Sequence, residues 1–255
     1  MCEIFGVCLS KKIKLNEYLR EFFSHSSKHP HGWGMGILNK NHVSIEKEPE
    51  SANKSHYLRE RLREPITEKN MLAHIRYATI GNVEYKNCHP YSIKDKRGRR
   101  WTMIHNGTIF DYDPLNKYVH TQNGDTDSER ILMYITDRIN LKEKAGLLSS
   151  SQRFELLDEI IADMSKGNKL NLILYDGEIM YVHTNYVNSL YYLEKEEGFI
   201  ISTTPLSNDE WKKVPFMTLI SLKDGKVMQK GKCHGNEYIE DQNNIKYLYQ
   251  IFSYL

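Results

Sequence analysis

The chain begins MCEIFGVC, and its second residue is the first with chemistry to account for. Once Met1 is removed, Cys2 carries a thiol and a free α-amine on the same residue. Such an amine titrates at about 7.7–8.0, so it is partly neutral near neutral pH. It can then take the thiol proton, directly or through a water. Three more stretches supply what amide cleavage needs besides nucleophile and base: HIRYAT at 74–79, HNG at 105–107 and GDTDSE at 124–129. In HNG, the side-chain amide of Asn106 and the backbone N–H of Gly107 can point at one developing oxyanion. Arg76 offers a planar fork for a carboxylate. Asp127 offers a counter-charge for an ammonium. Fork and counter-charge together describe the head group of an amino acid.

These residues must be held by elements that the sequence also announces. CEIFGVCL (2–9) reads as a buried strand and LNEYLREFFSH (15–25) as a helix. KHPHGWGMGIL is a Pro/Gly turn that leads into a strand, with HGWG beside the pocket. A helix is expected at 51–64 from a Ser cap to Pro65, then strands at 71–79 and 99–110. KDKRGRR (94–100) reads as a solvated hairpin tip. Asp125 or Thr126 can cap a helix with apolar residues at 131, 132, 135 and 139, and a second helix follows at 152–166. Strands then dominate, with YDGE and KDGK as Asp-Gly hairpin turns. The tail from about 238 to 255 has the spacing of a short amphipathic helix that packs on its own domain. The order of strands, two helices and strands predicts an α+β fold: two antiparallel sheets face to face, helices outside, in one domain over 1–255.

Composition bounds the function. The chain has 255 residues, 40% hydrophobic, and a formal net charge of +2, which gives no reason to expect nucleic acid or a membrane surface as partner. The four cysteines (2, 8, 88, 233) form no metal-ligand or disulfide pattern. There is no signal-peptide core and no run of 18 apolar residues. A cytoplasmic enzyme without metal or cofactor is the expectation. His25, His29 and His31 lack an acidic partner nearby in sequence. His74 and His105 are expected as oriented histidines of core and strand end, Cys8 and Cys88 as buried thiols, Trp33 and Trp101 as core. Tyr77 is expected to pack or to shape the pocket entrance.

With these residues in place, the chain resembles the class II glutamine amidotransferase domain, an N-terminal-nucleophile hydrolase, and within it the stand-alone bacterial branch called YafJ-like. The resemblance covers MCEIFGV, HGWGMGI (31–37), HIRYATIGNVEYKNCHPY (74–91), HNGTIFDY (105–112), GDTDSE and STTPL (202–206). It implies a four-layer αββα sandwich, with Cys2 as nucleophile and its freed amine as base. Asn106 and Gly107 would form the oxyanion hole. Arg76, supported by Thr79, would bind the substrate α-carboxylate, Asp127 the α-amine, and His89 would line the pocket wall. The substrate would be glutamine or another γ-glutamyl amide. Larger members pass ammonia to a fused synthase domain; none is expected here, which leaves a separate acceptor subunit or simple hydrolysis. Two alternatives stay open: a non-catalytic module that binds glutamine or regulates a partner, and an amidase of the same fold with a different acyl group.

Overall fold

The computed structural model describes residues 2–40 and 42–241. The first sheet opens with β1 (Glu3–Lys14), and α1 (Asn16–Ser24) follows it. Then come β2 (Trp33–Asn39), β3 (His42–Glu48), α2 (His56–Arg61) and β4 (Thr67–Ile75). β5 (Tyr91–Lys94) and β6 (Arg100–Thr108) begin the second sheet, and α3 (Asp127–Lys142) and α4 (Ser150–Met164) cover it. The chain continues with β7 (Lys169–Tyr175), β8 (Met180–His183), β9 (Tyr191–Lys195), β10 (Gly198–Ser202), β11 (Lys212–Lys213), β12 (Ile220–Lys223) and β13 (Lys226–Lys230). Among the described residues the strands form two antiparallel sheets, β11-β9-β10-β1-β4-β2-β3 and β13-β12-β8-β7-β6-β5.

Alternation along the strands builds the layers, because successive side chains point to opposite faces. On β1, Phe5, Val7 and Leu9 face outward and pack with Leu19, Phe22 and Phe23 of α1 and Leu58 of α2. Ile4 and Cys8 face inward and meet Leu72 of β4, Ile104 of β6 and Ile173 of β7 between the sheets. The outer face of the second sheet, with Trp101, Leu172 and Leu174, is covered by Ile131 and Ile135 of α3 and Leu157 and Ile161 of α4. The result is the αββα order of layers expected from the sequence. The sheets approach closely at Gly6, where an added Cβ would lie 2.7 Å from Ile173 Cδ1.

Several boundaries differ from expectation for local reasons. α2 begins at His56, because Ser55 rather than Ser51 accepts the Leu58 N–H and caps it. α3 is capped by Thr126, which accepts from Glu129 N–H, and α4 by a reciprocal Ser149–Gln152 capping box. β3, which the sequence reading passed over, pairs with β2 along its whole length. The strand expected to reach 79 stops at Ile75. The KDKRGRR tip is not simply solvated: Asp95 is buried and accepts from Trp101 Nε1 at 3.0 Å and Arg99 Nε at 2.8 Å. Both Asp-Gly turns form; Asp224 and Gly225 have positive φ, as a two-residue type I′ hairpin requires. Of the expected tail helix, residues 242–255 lie outside the described residues, and 238–241 carry no helix. No helix among the described residues is long and apolar enough to cross a membrane.

Candidate active site

The layer between the sheets changes character toward one end. Ile4, Leu72, Ile104 and Ile173 form its apolar middle. Two residues along, the same faces carry Cys2 on β1's approach, His74 on β4, Asn106 on β6 and Asn171 on β7, with Arg76 and Lys169 beyond. The alternation that fills the core therefore gathers the polar residues of four separate sequence stretches at one end.

Cys2 is partly exposed. Its sulfur lies against the main chain of Tyr77, whose N–H donates to Sγ at 3.3 Å while the thiol donates to the Tyr77 carbonyl at 3.4 Å. Desolvation pushes the thiol above its ordinary pKa, opposed by the Tyr77 main chain and the Arg76 charge, and reinforced by the Asp127 carboxylate. A neighbouring base is therefore needed to ionise it near neutral pH. The start of β1 is held by the STTPL stretch: Ile4 N–H donates to Thr203 Oγ1 at 2.9 Å and Thr203 N–H to the Ile4 carbonyl at 3.0 Å. On the outward side, the buried Glu3 carboxylate meets His25 Nδ1 at 2.9 Å and His29 Nε2 at 3.2 Å. These histidines do have an acidic partner, brought from more than twenty residues away by the fold. Burial works against ionisation of Glu3, but the bonds from His29 and His25 hold its pKa below the usual value.

The HGWG stretch sets the main chain that holds the sulfur. Arg76 N–H donates to the Gly32 carbonyl at 2.7 Å and His31 N–H to the Arg76 carbonyl at 3.0 Å. His31 Nδ1 then accepts the Ala78 N–H at 3.0 Å. Gly32 is required: its φ is +146° and a Cβ would lie 2.7 Å from Cys88 Sγ.

The Arg76 guanidinium is buried, and its fork is engaged by the chain itself. Nη1 donates to the Asn82 carbonyl at 2.8 Å, and Nη2 donates to the carbonyls of Ile80 and Gly81, each at 2.9 Å. Thr79 lies half-buried in the loop that these bonds hold. Asn87 links that loop to the GDTDSE stretch, donating to the Asn82 carbonyl at 3.0 Å and to Asp125 Oδ2 at 3.1 Å.

Asp127 is the first residue of α3 and is buried. Its Oδ2 accepts the Ile109 N–H at 2.8 Å and its Oδ1 the Ser128 N–H at 2.9 Å. The helix N-terminus favours the negative charge there. The same contact ties the helix to the chain just after HNGT.

Asn106 and Gly107 close the site from the second sheet, paired with Asn171 and Leu170 of β7. Gly107 leaves no room for a side chain, since a Cβ would lie 2.0 Å from the Lys169 carbonyl. His105 points to the helix side: its Nε2 donates to the Lys169 carbonyl at 3.3 Å and its Nδ1 accepts from Ser128 Oγ at 3.0 Å. Burial lowers its pKa, so it is a neutral, oriented imidazole. His74 Nε2 donates to the His105 carbonyl at 3.3 Å and joins the two sheets. His89 is buried, 4.0 Å centroid to centroid from His74 and 4.7 Å from Tyr91. Both its ring nitrogens and His74 Nδ1 have no hydrogen-bond partner among the described residues. Burial holds both rings well below the ordinary histidine pKa. No group of three or more His, Cys, Asp or Glu among the described residues is arranged to hold a metal.

Two features escaped the sequence reading. One is the role of the Tyr77 main chain, which no residue-type signal could mark. The other is Lys169, a buried lysine at the start of β7 and directly opposite Thr108. A lysine at the head of a largely apolar strand, KLNLILY, was the available signal. A cavity of about 530 Å³ lies at the far end of the sheets, lined by Lys40, Lys69, Asp176 and Asp224 among others. Lys69 and Asp224 pair across it at 2.9 Å, and none of the candidate-site residues above lines it.

Comparison with known proteins bears on the fold and the family. The chain is 29% identical over 260 residues to the uncharacterized protein MJ1515 of Methanocaldococcus jannaschii, an alignment covering 91% of this chain and 72% of that one. It shares its fold with a Pseudomonas aeruginosa structure described as a predicted glutamine amidotransferase (TM-score 0.61, 18% identity, 89% of this chain and 95% of that one). It also shares it with the glutamine phosphoribosylpyrophosphate amidotransferase of B. subtilis (TM-score 0.66, 13% identity), covering 91% of this chain but only 49% of that one. Residues 1–199 match the family model of the class II glutamine amidotransferases, and the chain belongs to that family.

Proposed function

We propose that the protein hydrolyses the side-chain amide of glutamine or of another γ-glutamyl amide through a γ-glutamyl thioester on Cys2. The observation that carries this reading is the seat of the sulfur. It lies in the main chain of Tyr77, next in sequence to Arg76, and within the field of Asp127. Removal of Met1 frees the Cys2 amine, which takes the thiol proton. The thiolate attacks the amide carbon, and the oxyanion that forms is met by Asn106 Nδ2 and the Gly107 N–H. The protonated amine gives its proton to the leaving nitrogen, and ammonia or an amine departs. Water, deprotonated by the same amine, then attacks the thioester and releases glutamate and the free thiol.

In this reading Asp127 accepts the substrate ammonium. Arg76 takes the α-carboxylate with the N–H groups not engaged by Ile80, Gly81 and Asn82, so substrate binding and order in the 79–82 loop are coupled. Thr79 stands in that loop, and His89 lies behind it against His74. The released ammonia either leaves or passes to a separate acceptor subunit. An uncharged acyl group is disfavoured, because Arg76 and Asp127 would both face it at a desolvation cost.

The test is glutamate release from glutamine and a panel of γ-glutamyl amides by protein of verified N-terminus, beside Cys2→Ala. Activity on at least one amide, abolished in the variant, is expected; equal release by both proteins contradicts the proposal. Activity should rise with pH as the terminal amine loses its proton, near about 7.7–8.0.

A further inference from the structure

Glu3 is a buried carboxylate on a face that is otherwise apolar. It points outward from β1, in line with Phe5, Val7 and Leu9, and is 8% exposed. An apolar side chain there would extend that packing and would not have to desolvate a charge. Burial works against the charge of Glu3, and the bonds from His29 and His25 outweigh it, so its pKa lies below the usual carboxyl value. An ionised carboxylate only accepts, so His25 Nδ1 at 2.9 Å and His29 Nε2 at 3.2 Å both donate to it. Thr204 Oγ1 is a third donor, at 3.4 Å. The two histidines face the same way because the chain turns between them: Lys28 N–H donates to the His25 carbonyl and His29 N–H to the Ser26 carbonyl, each at 3.0 Å. That turn is anchored in its own right, since Ser26 Oγ accepts the Asn53 N–H at 3.0 Å.

The loop that carries these histidines also holds the seat of the sulfur. The Gly32 carbonyl accepts the Arg76 N–H, His31 N–H donates to the Arg76 carbonyl, and His31 Nδ1 accepts the Ala78 N–H. Between Arg76 and Ala78 stands Tyr77, whose peptide exchanges hydrogen bonds with Cys2 Sγ. The links close a ring: Cys2, Glu3, the 25–32 loop, residues 76–78 and back to Cys2. We propose that Glu3, held by His25 and His29, is a positioning residue for the N-terminal nucleophile, fixing Cys2 against the Tyr77 peptide. The inference rests on the reading of Cys2 as nucleophile and its freed amine as base. Removal of Met1 makes Cys2 the chain terminus, and the β1 ladder begins only at Glu3. Chain ends fray unless tied down, and Cys2 has to hold both of its reacting groups in place. Bonds to Thr203 secure Ile4, and the Glu3 side chain secures the residue that adjoins the nucleophile. Charge-assisted hydrogen bonds are the stronger kind, and two of them meeting on one carboxylate fix its direction as well as its place. A misplacement of about 1 Å at a reacting group can cost about a hundredfold in rate.

The experiment measures hydrolysis of the γ-glutamyl amide on which the wild-type protein is most active, by N-terminally processed protein whose sites are counted by completed alkylation of Cys2. Glu3→Met keeps the bulk of the side chain and removes both bonds. It should lower kcat per labelled site by about tenfold to a hundredfold and leave KM within about threefold, because the substrate ligands Arg76 and Asp127 are not bonded to Glu3. A residue that only stabilises the fold would lower the number of sites and not the rate of each. Adding His29→Leu to Glu3→Met should cost no more than about a further twofold, since both remove the same tie. A smaller fall in kcat per site, a larger rise in KM, or a larger further loss in the double variant overturns the proposal. Should Glu3→Met not fold, His25→Ala, at a half-buried position, decides: a fall of about threefold or more in kcat per site with KM unchanged, the scale of one hydrogen bond, supports the inference, and a smaller fall or a raised KM overturns it. Hydrolysis that survives Cys2→Ala marks failure of the underlying reading; hydrolysis that needs Cys2 but not Glu3 marks failure of this inference alone.

Discussion

The sulfur of Cys2 and the peptide group of Tyr77 exchange hydrogen bonds, N–H to Sγ at 3.3 Å and thiol to carbonyl at 3.4 Å. The thiol is thus positioned by main chain, and the Tyr77 side chain, 38% exposed, is not part of that contact. Tyr77→Ala should therefore keep covalent labelling of Cys2 within about threefold of wild type, the range of a surface truncation. His31→Ala removes the acceptor of the Ala78 N–H and should slow labelling more, by about tenfold, one hydrogen bond's worth of positioning. Labelling rates at fixed pH check the order of the two effects.

Asn106 is assigned to the oxyanion and not to holding the sulfur. Asn106→Ala should lower kcat by about a hundredfold to a thousandfold while the rate of Cys2 alkylation stays close to wild type. A parallel fall in both rates would show that the residue holds the site together rather than stabilising the transition state.

Asp127 accepts from the N–H groups of Ile109 and Ser128, besides its assigned ligand. Asp127→Asn keeps one acceptor oxygen and removes the charge. Its KM for a γ-glutamyl amide should rise about tenfold to a hundredfold, the value of a charge-assisted hydrogen bond. Thermal unfolding should move by only a few degrees. A KM left unchanged removes the ammonium from its assigned place.

Acid should destabilise the fold in two stages. His183 is buried with Nδ1 donating to the Leu170 carbonyl at 2.7 Å and Nε2 accepting from His234 Nε2 at 2.9 Å. Burial pushes it down to about 3. An unfolded histidine titrates at about 6.5, so below that pH the unfolded chain binds a proton that the folded one refuses. Stability is then lost progressively from about pH 6.5 toward about pH 3. Glu3 is depressed in the fold, so its contribution is present above the unfolded value of about 4.3 and disappears as pH falls through its lower folded value. Urea midpoints between about pH 7 and pH 4 should decline less steeply in His183→Gln than in wild type. Equal slopes would remove His183 from this account.

Much of the site was legible because its motifs end or begin regular elements. HNG closes a strand, GDTDSE opens a helix at Thr126, and period-two alternation carries Cys2 and Asn106 to the same interior layer. The fold class followed from the same alternation and from the two Asp-Gly turns. What the sequence could not reveal depends on main-chain geometry or on distant pairing. The Tyr77 peptide holds the sulfur whatever its side chain. The Arg76 fork is engaged by three carbonyls of the next loop, where its residue type alone suggested an open carboxylate site. Glu3 finds His25 and His29 across a helix. Ser55 displaces Ser51 as a cap because a turn intervenes. The burial of Lys169 was not legible, because the Tyr186 ring that its ammonium covers comes from a later loop.

The most direct test of the central claim is covalent labelling by a glutamine analogue with an electrophilic carbon at the amide position, followed by intact mass and peptide mapping. Burial pushes Cys8 and Cys88 up to about 11, and exposed Cys233 serves as the control for nonspecific alkylation. The account predicts one label, on Cys2 of a chain lacking Met1, with loss of amide hydrolysis in proportion to labelling. Full hydrolytic activity in a chain that retains Met1, or inactivation with the label on another cysteine, would contradict it.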